Sequence, residues 1–132
     1  MQQQQALAGV APFQMERFEI TVGESGLELR GELASRDPVA DVGPHIRKIH
    51  AALAGSAGPE AAGELVVDVR PLKFVSSSGL RIFLDWVSWI AAEPESRRYR
   101  LVFRTSRTTT WQSAAFPAIV MLGGAHARLE PT

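Results

Sequence analysis

Cysteine is absent from the 132-residue sequence, so the chain has neither a disulfide framework nor a thiolate site for a metal ion. It also lacks an apolar run long enough to span a membrane, and its N-terminal region has no secretory signal. Net charge is missing too, because 14 basic residues balance 14 acidic ones. That balance argues against nucleic acid or an anionic membrane as the main partner. Together these absences predict a cytoplasmic protein with no membrane span.

Motifs for catalysis and cofactor binding are missing as well. No nucleophile elbow, phosphate-binding loop, dinucleotide fingerprint or zinc-protease pattern occurs in the sequence. The histidines His45, His50 and His126 do not have the spacing of a metal site, and we expect them at the surface. A serine hydrolase would need an activating base, which the sequence does not identify. We therefore expect a protein that is not an enzyme and has no metal or cofactor.

What is present indicates one folded domain, since 45% of the residues are hydrophobic and the chain is too short for two domains. Residues 1–14 show no periodicity, so we expect a disordered arm followed by one domain over residues 15–132.

Strands are predicted from alternating or continuous apolar residues, and helices from apolar stripes with capping residues. The expected elements are a hairpin at 18–22 and 27–33, a helix from Asp37 or Asp41 to Gly55, a central strand at 65–69 covered on both faces, a helix at 79–92, a strand at 99–104, a helix from Thr109 or Thr110 to Leu122, and a strand at 127–130. This order predicts an α/β sheet with parallel pairs.

The helix at 79–92 is strongly apolar, and on a helical wheel its residues fall into distinct faces. Ile82, Trp86 and Trp89 lie between the core face and a polar stripe that contains Arg81. We favour a core position for Trp86, whereas Trp89 is either covered by another element or an exposed anchor for a partner. The expected core face consists of Leu80, Phe83, Leu84, Val87, Ile90 and Ala91.

Three consecutive serines, Ser76, Ser77 and Ser78, precede Gly79 where a strand segment gives way to this helix. The first turn of a helix has unpaired N–H groups and the positive end of the dipole, so it suits an anion, including a phosphate on one of the serines. The alternative is a helix cap with no further role. Arg81, one turn along, either pairs with such a phosphate or is a solvated surface residue.

Two segments resemble the STAS domain, the family of bacterial anti-sigma-factor antagonists and of the cytoplasmic domains of sulfate transporters. One is Val66-Val67-Asp68-Val69 followed by Phe74-Val75-Ser76-Ser77-Ser78-Gly79-Leu80, and the other is Gly31-Glu32-Leu33. The order of elements matches from about residue 18 to residue 130. The resemblance implies a single-domain mixed sheet of four to five strands with helices packed mainly on one face.

The function that the resemblance implies is partner switching, in which an antagonist binds an anti-sigma factor that is also a serine kinase, and phosphorylation ends the binding. The phosphorylated serine of the family aligns with Ser77. The sequence has Ser76 and Ala34 where the family has carboxylates, and Asp37 is a candidate replacement. We expect the partner to contact residues 76–89, with Ile82, Trp86, Trp89 and Asp37 as candidate contacts.

The sequence is also compatible with other interpretations. One is a ligand-binding or lipid-transport-accessory STAS domain, and another is a constitutive scaffold that is never phosphorylated. A hydrolase that uses Ser77 is a third. The sequence does not indicate the oligomeric state.

Overall fold

The computed structural model describes residues 10–23, 26–56 and 63–132, which form one mixed β-sheet with three α-helices. The predicted α/β class is confirmed, but the sheet has seven strands where the resemblance implies four to five. The strands are β1 (Phe13–Gln14), β2 (Phe18–Gly23), β3 (Gly26–Leu33), β4 (Glu64–Asp68), β5 (Leu72–Val75), β6 (Arg100–Thr105) and β7 (Ala127–Pro131). The helices are α1 (Pro38–Ser56), α2 (Ser77–Ala92) and α3 (Thr110–Gly123).

The strand order is β1-β2-β3-β4-β6-β7, and β5 pairs with β3 beyond the end of β4. Strand β2 pairs antiparallel with both β1 and β3. Strands β3, β4, β6 and β7 run parallel to one another. The central position of β4 and the hairpin of β2 and β3 confirm two predictions. Parallel neighbours need crossover connections, and α1, α2 and α3 provide them.

One face of the sheet carries the core and all three helices pack on that side. Alternate residues of each long strand point into this core, as period-two geometry requires. Leu65 and Val67 of β4 are fully buried there, whereas Val66 on the other face is only half-buried. The prediction that this strand is covered on both faces is therefore wrong, because no helix of the described residues lies over its second face.

The second face of the sheet is covered by charged side chains instead. Arg128 donates two hydrogen bonds to Glu64, at 3.0 and 3.1 Å. Arg104 donates to Glu130 at 2.7 Å. Because these arginines are paired with carboxylates of other strands in the sheet, the face does not present a continuous positive stripe.

Helix α2 lies between α1 and α3 and contacts both, so more of its circumference is covered than a single apolar face. Phe83, Val87 and Ile90 are buried as expected, and the Phe83 ring lies 5.7 Å from that of Phe103. Other expectations for the core face are corrected, since Leu80 and Leu84 are only half-buried, Ala91 is exposed and Ile82 is buried. Trp86 is buried, as favoured from the sequence.

Helix α1 begins at Pro38 with Asp37 as its cap, which is the first of the two starts that the sequence predicted. The Asp37 carboxylate accepts a hydrogen bond from the Ala40 N–H at 3.2 Å. Helix α3 runs to Gly123 without being shortened at Pro117. The predicted loop that follows α1 and the predicted turn of the hairpin fall largely on residues 57–62 and 24–25, which lie outside the described residues.

Strands β1 and β5 are not among the predicted elements. Strand β1 pairs with β2 and lies inside the segment expected to be a disordered arm, of which residues 1–9 are outside the described part of the chain. Strand β5 spans Leu72–Val75, where the sequence predicts the end of a turn and the two residues that connect it to the serines. Both strands are short, and a segment of this length has too little periodicity to be recognised.

Candidate functional site

The three serines lie between the end of β5 and the first turn of α2, as predicted, but they have different roles. Ser76 is the N-cap of the helix, and its Oγ accepts a hydrogen bond from the Gly79 N–H at 3.1 Å. Its own backbone N–H donates to the Leu33 carbonyl at 3.0 Å. Ser76 therefore joins the start of α2 to the end of β3.

Ser77 and Ser78 are the first two residues of α2, and both side chains are exposed. The first turn of α2 contains no acidic residue. An anion on either hydroxyl would meet the positive end of the helix dipole, without a neighbouring carboxylate in that turn to repel it. The geometry thus gives the capping role to Ser76 and leaves the hydroxyls of Ser77 and Ser78 accessible.

Gly79 fixes how closely the helix approaches the sheet. A Cβ atom at this position would lie 2.8 Å from Val75 Cγ1 and 2.9 Å from the Leu33 carbonyl oxygen. Real Cβ contacts are not that short, so any side chain here would push the start of α2 away from β3. The glycine of the motif is explained by this packing.

Phe74 is a feature of the site that the sequence reasoning missed. Its side chain is 48% exposed, although it precedes the serines by only a few residues. Strand β5 pairs with β3 through an irregular register, in which Gly31 faces Leu72 and Glu32 faces Phe74. The extra residue on β5 forms a bulge, and a bulge re-aims the side chain beside it. The sequence does not reveal such a bulge, because residues 70–73 have the composition of an ordinary turn.

Two other predicted site residues make contacts that do not involve the serines. Arg81 is 72% exposed in its side chain and forms a 3.9 Å ion pair with Asp85, one turn further along α2. Asp37 is exposed and engaged in capping α1. Ala34 directly follows Leu33, whose carbonyl accepts the hydrogen bond from the Ser76 N–H. The position at which the STAS family has its second carboxylate is therefore next to the serine segment.

Two of the proposed partner contacts are not available at the surface. Ile82 is 2% exposed and Trp86 is fully buried, so neither reaches a partner without unfolding α2. The interpretation of Trp86 as a core residue is confirmed. The cause is the central position of α2, which is flanked by α1 on one side and α3 on the other.

Trp89 is half-buried, and the guanidinium carbon of Arg47 on α1 lies 4.4 Å from the centre of its ring. It lies twelve residues after Ser77, which is about 18 Å along the axis of α2 at 1.5 Å per residue. Trp89 is therefore covered in part by α1 and far from the serines. Phe74, Ser77 and Ser78 are exposed residues of the motif, and we call these three residues the serine surface.

A cavity opens beside the end of β3, with a volume of about 330 Å³. The hydroxyl of Ser35 is buried and has no hydrogen-bond partner within the described residues. The apolar wall of the cavity includes Phe18 and Met15, and Arg17 and Glu32 contribute charged side chains to its lining. The residues that line it are Met15, Glu16, Arg17, Phe18, Glu32, Ala34 and Ser35.

A polar cluster lies between α1, α2 and the start of β6, with His50 and Tyr99 buried and Glu93 partly exposed. Tyr99 accepts a hydrogen bond from the Trp86 indole N–H at 2.8 Å, and its oxygen lies 2.7 Å from His50 Nδ1. His50 Nε2 lies 3.0 Å from Glu93 Oε2. His50 is 4% exposed, which corrects the prediction of a surface histidine.

The tyrosine, histidine and glutamate of this cluster are arranged in the order of a catalytic triad, but the tyrosine cannot serve as its nucleophile. Tyr99 is 5% exposed, and burial, opposed by the hydrogen bond from Trp86, raises its pKa far above the ordinary value. Its oxygen is bonded on both sides, so no substrate reaches it. The cluster satisfies the polar groups of a buried core region.

His45 is not a surface residue either, since it is half-buried with its ring 5.0 Å from that of Phe13. Burial, helped by the charge of Lys48, lowers its pKa below the usual 6.5. Among the described residues, no group of three histidine, aspartate or glutamate side chains is placed to hold a metal ion.

None of the helices in the described part of the chain combines the length and the apolar character needed to cross a bilayer. Comparison of the sequence with protein-family models, and of the chain with curated proteins and solved structures, found no match.

Proposed function

We propose that this chain is a non-catalytic regulatory protein of the anti-sigma-factor-antagonist type, which binds a protein partner through the serine surface and is controlled by phosphorylation of Ser77. The observation that carries the proposal is the division of roles in the motif. Ser76 and Gly79 hold the start of α2 against β3, and Ser77 is left exposed three residues after the exposed Phe74. The resemblance to the STAS motif supports the same residue.

A phosphate on Ser77 would add about −1.5 to −2 charges at the first residue of α2. The helix dipole favours a negative charge there, so the fold would tolerate the modification. A partner surface fitted to a neutral hydroxyl and to Phe74 would have to bury that charge without a counter-ion, which is strongly unfavourable. Phosphorylation would thus end binding without unfolding the domain.

The partner class follows from the resemblance: an anti-sigma factor, or a serine kinase that phosphorylates its own ligand. Phe74 supplies the apolar anchor that such an interface needs, since interface energy concentrates in a few aromatic or arginine residues. Ser76 and Ala34 stand where the family has carboxylates, and a protein that binds constitutively is therefore the alternative to the switch. Phosphorylation of Ser77 distinguishes the switch from that alternative.

Photo-crosslinking tests where the partner binds. A benzophenone amino acid at position 74 should capture the partner, whereas the same probe at Lys48, an exposed residue of α1, should not. Introducing Ser77→Asp should abolish the crosslink at position 74. Ser88→Asp adds the same charge to an exposed serine near the other end of α2, and it should leave the crosslink intact. A crosslink at position 74 that survives Ser77→Asp would contradict the proposal.

The cavity beside β3 favours a second candidate function, the ligand-binding STAS domain. A volume of about 330 Å³ and an unpaired buried hydroxyl at Ser35 would suit a small ligand with an apolar body and one hydrogen-bonding group. Native mass spectrometry of the purified protein should then show a bound small molecule, which Ser35→Val should remove. A mass equal to that of the bare chain would count against this candidate and leave the serine surface unaffected.

A further inference from the structure

The outer face of α3 lacks charge entirely. None of the 14 residues of this helix is charged, and Met121 and Leu122 are 80% and 74% exposed. At 100° per residue the exposed positions cover about half of the helix circumference. Large exposed apolar side chains on an uncharged face are typical of a surface that another protein surface covers. The exposed residues of α3 are Thr110, Ser113, Ala114, Pro117, Ala118, Met121 and Leu122.

Strand β7, on which α3 packs, is an edge of the sheet. Within the described residues it pairs with β6 alone. Thr132, directly after β7, donates its N–H to the Thr105 carbonyl at 2.9 Å and accepts from the Arg107 N–H at 3.1 Å. Backbone groups alternate in direction along a strand, so those of Ala127, Leu129 and Pro131 point away from β6. They form an open edge that can pair with another strand.

The charges on β7 select a partner for this edge. Arg128 and Glu130 lie on the charged face of the sheet, on either side of Leu129. If a second copy pairs antiparallel with a two-fold axis at Leu129, Arg128 of each copy lies opposite Glu130 of the other. An axis at Arg128 or at Glu130 would instead place like charges opposite each other, which is destabilising.

We propose that the protein forms a symmetric dimer, in which the β7 strands of two copies pair antiparallel about Leu129 and the α3 helices cover each other's uncharged faces. Leu129 of each copy donates its N–H to the Leu129 carbonyl of the other, and Ala127 donates to the carbonyl of Pro131. Because α3 packs on β7, the same axis brings the two helices side by side. An uncharged face is complementary to itself, as a two-fold interface requires.

The dimer joins two copies along the β7 edge of the sheet, and the serine surface does not take part in it. It is therefore independent of the proposed function. If both are correct, each dimer presents two serine surfaces.

Sedimentation velocity over a range of protein concentrations tests the dimer. The wild-type chain should show a monomer–dimer equilibrium, and Leu122→Glu should weaken it because the glutamate would lose water at the helix contact. Arg128→Glu should also weaken it, by about tenfold, since two symmetry-related charge pairs become repulsive. Combining Arg128→Glu with Glu130→Arg restores opposite charges across the axis and should restore the dimer.

Controls separate the interface from general instability. Phe74→Ala removes an exposed apolar side chain elsewhere and should leave the equilibrium unchanged. Thermal melts of each variant report the loss of the intrachain pairs of Arg128 and Glu130 separately. A chain that stays monomeric at every concentration overturns the proposal. So does a dimer that ignores Leu122→Glu, or one that the charge exchange does not rescue.

Discussion

At the scale of single residues, the motif shows how adjacent residues of one type can have different roles. Ser76 caps α2 through its hydroxyl, whereas Ser77 and Ser78 are exposed. The sequence placed all three serines at the start of a helix but could not choose the capping residue. The choice depends on where the chain leaves β5, because the cap must have an extended backbone and Ser76 is the residue that has it.

Replacing Ser76 and Ser78 one at a time tests whether only Ser76 caps the helix. Ser76→Ala should lower the free energy of unfolding by about 1 kcal/mol, because the Gly79 N–H loses its acceptor. Ser78→Ala should change it by less than about 0.5 kcal/mol, as is usual for exposed positions. Urea unfolding of the two variants checks both values. Equal losses would show that the cap is not at Ser76.

A second residue-scale prediction concerns His45, whose pKa is lowered in the folded protein by burial and by Lys48. The unfolded chain therefore takes up this proton at a higher pH than the folded chain does. Stability from the neutral imidazole is present above the ordinary pKa of 6.5 and is lost as the pH falls below it.

The measurement is the free energy of unfolding between about pH 7.5 and about pH 5. The wild-type protein should lose stability toward the lower pH, and His45→Gln should reduce the slope of that loss. Lys48→Gln removes the smaller of the two causes and should reduce the slope less. Parallel curves for all three proteins would show that His45 does not contribute.

At the scale of secondary-structure elements, long periodic segments were predictable and short or irregular ones were not. The hairpin of β2 and β3, the central strand β4 and the three helices follow from apolar spacing and capping residues. Strands β1 and β5 escaped because they are short, and the exposure of Phe74 depends on a bulge. The covered faces of α2 were misjudged because a wheel shows one helix alone, whereas two neighbouring helices bury Ile82 and Trp86.

The contact of α2 with β3 depends on Gly79, which makes it an element-scale prediction. Gly79→Ala should destabilise the fold by about 1–3 kcal/mol, because the new methyl group meets Val75 and the Leu33 carbonyl. The same displacement should disturb the serine surface and weaken partner binding. Gly55→Ala is the matched control, since a Cβ there meets nothing within 4 Å. Denaturant melts that give equal stability for both variants would contradict the close contact.

At the scale of the whole molecule, the sheet separates three surfaces. The helices cover one face, paired charges cover the other, and the serine surface lies at an end of β5 where α2 begins. Tyr99, His50 and Trp86 are buried, and the hydrogen bonds that join them serve stability. In the first turn of α2, Ser77 and Ser78 are exposed, so a modification there changes neither the core nor the charged face. That position makes Ser77 suited to control binding without control of folding.

The most direct test of this account is a binding titration of the partner captured at position 74 against wild-type protein, Ser77→Ala and Ser77→Asp, with the melting temperature of each recorded. We predict that Ser77→Ala binds like wild type, and that Ser77→Asp loses binding by at least about a hundredfold while its melting temperature stays within a few degrees. Equal affinity of all three proteins would contradict the account. It would also be contradicted if Ser77→Asp lost binding only because it had unfolded.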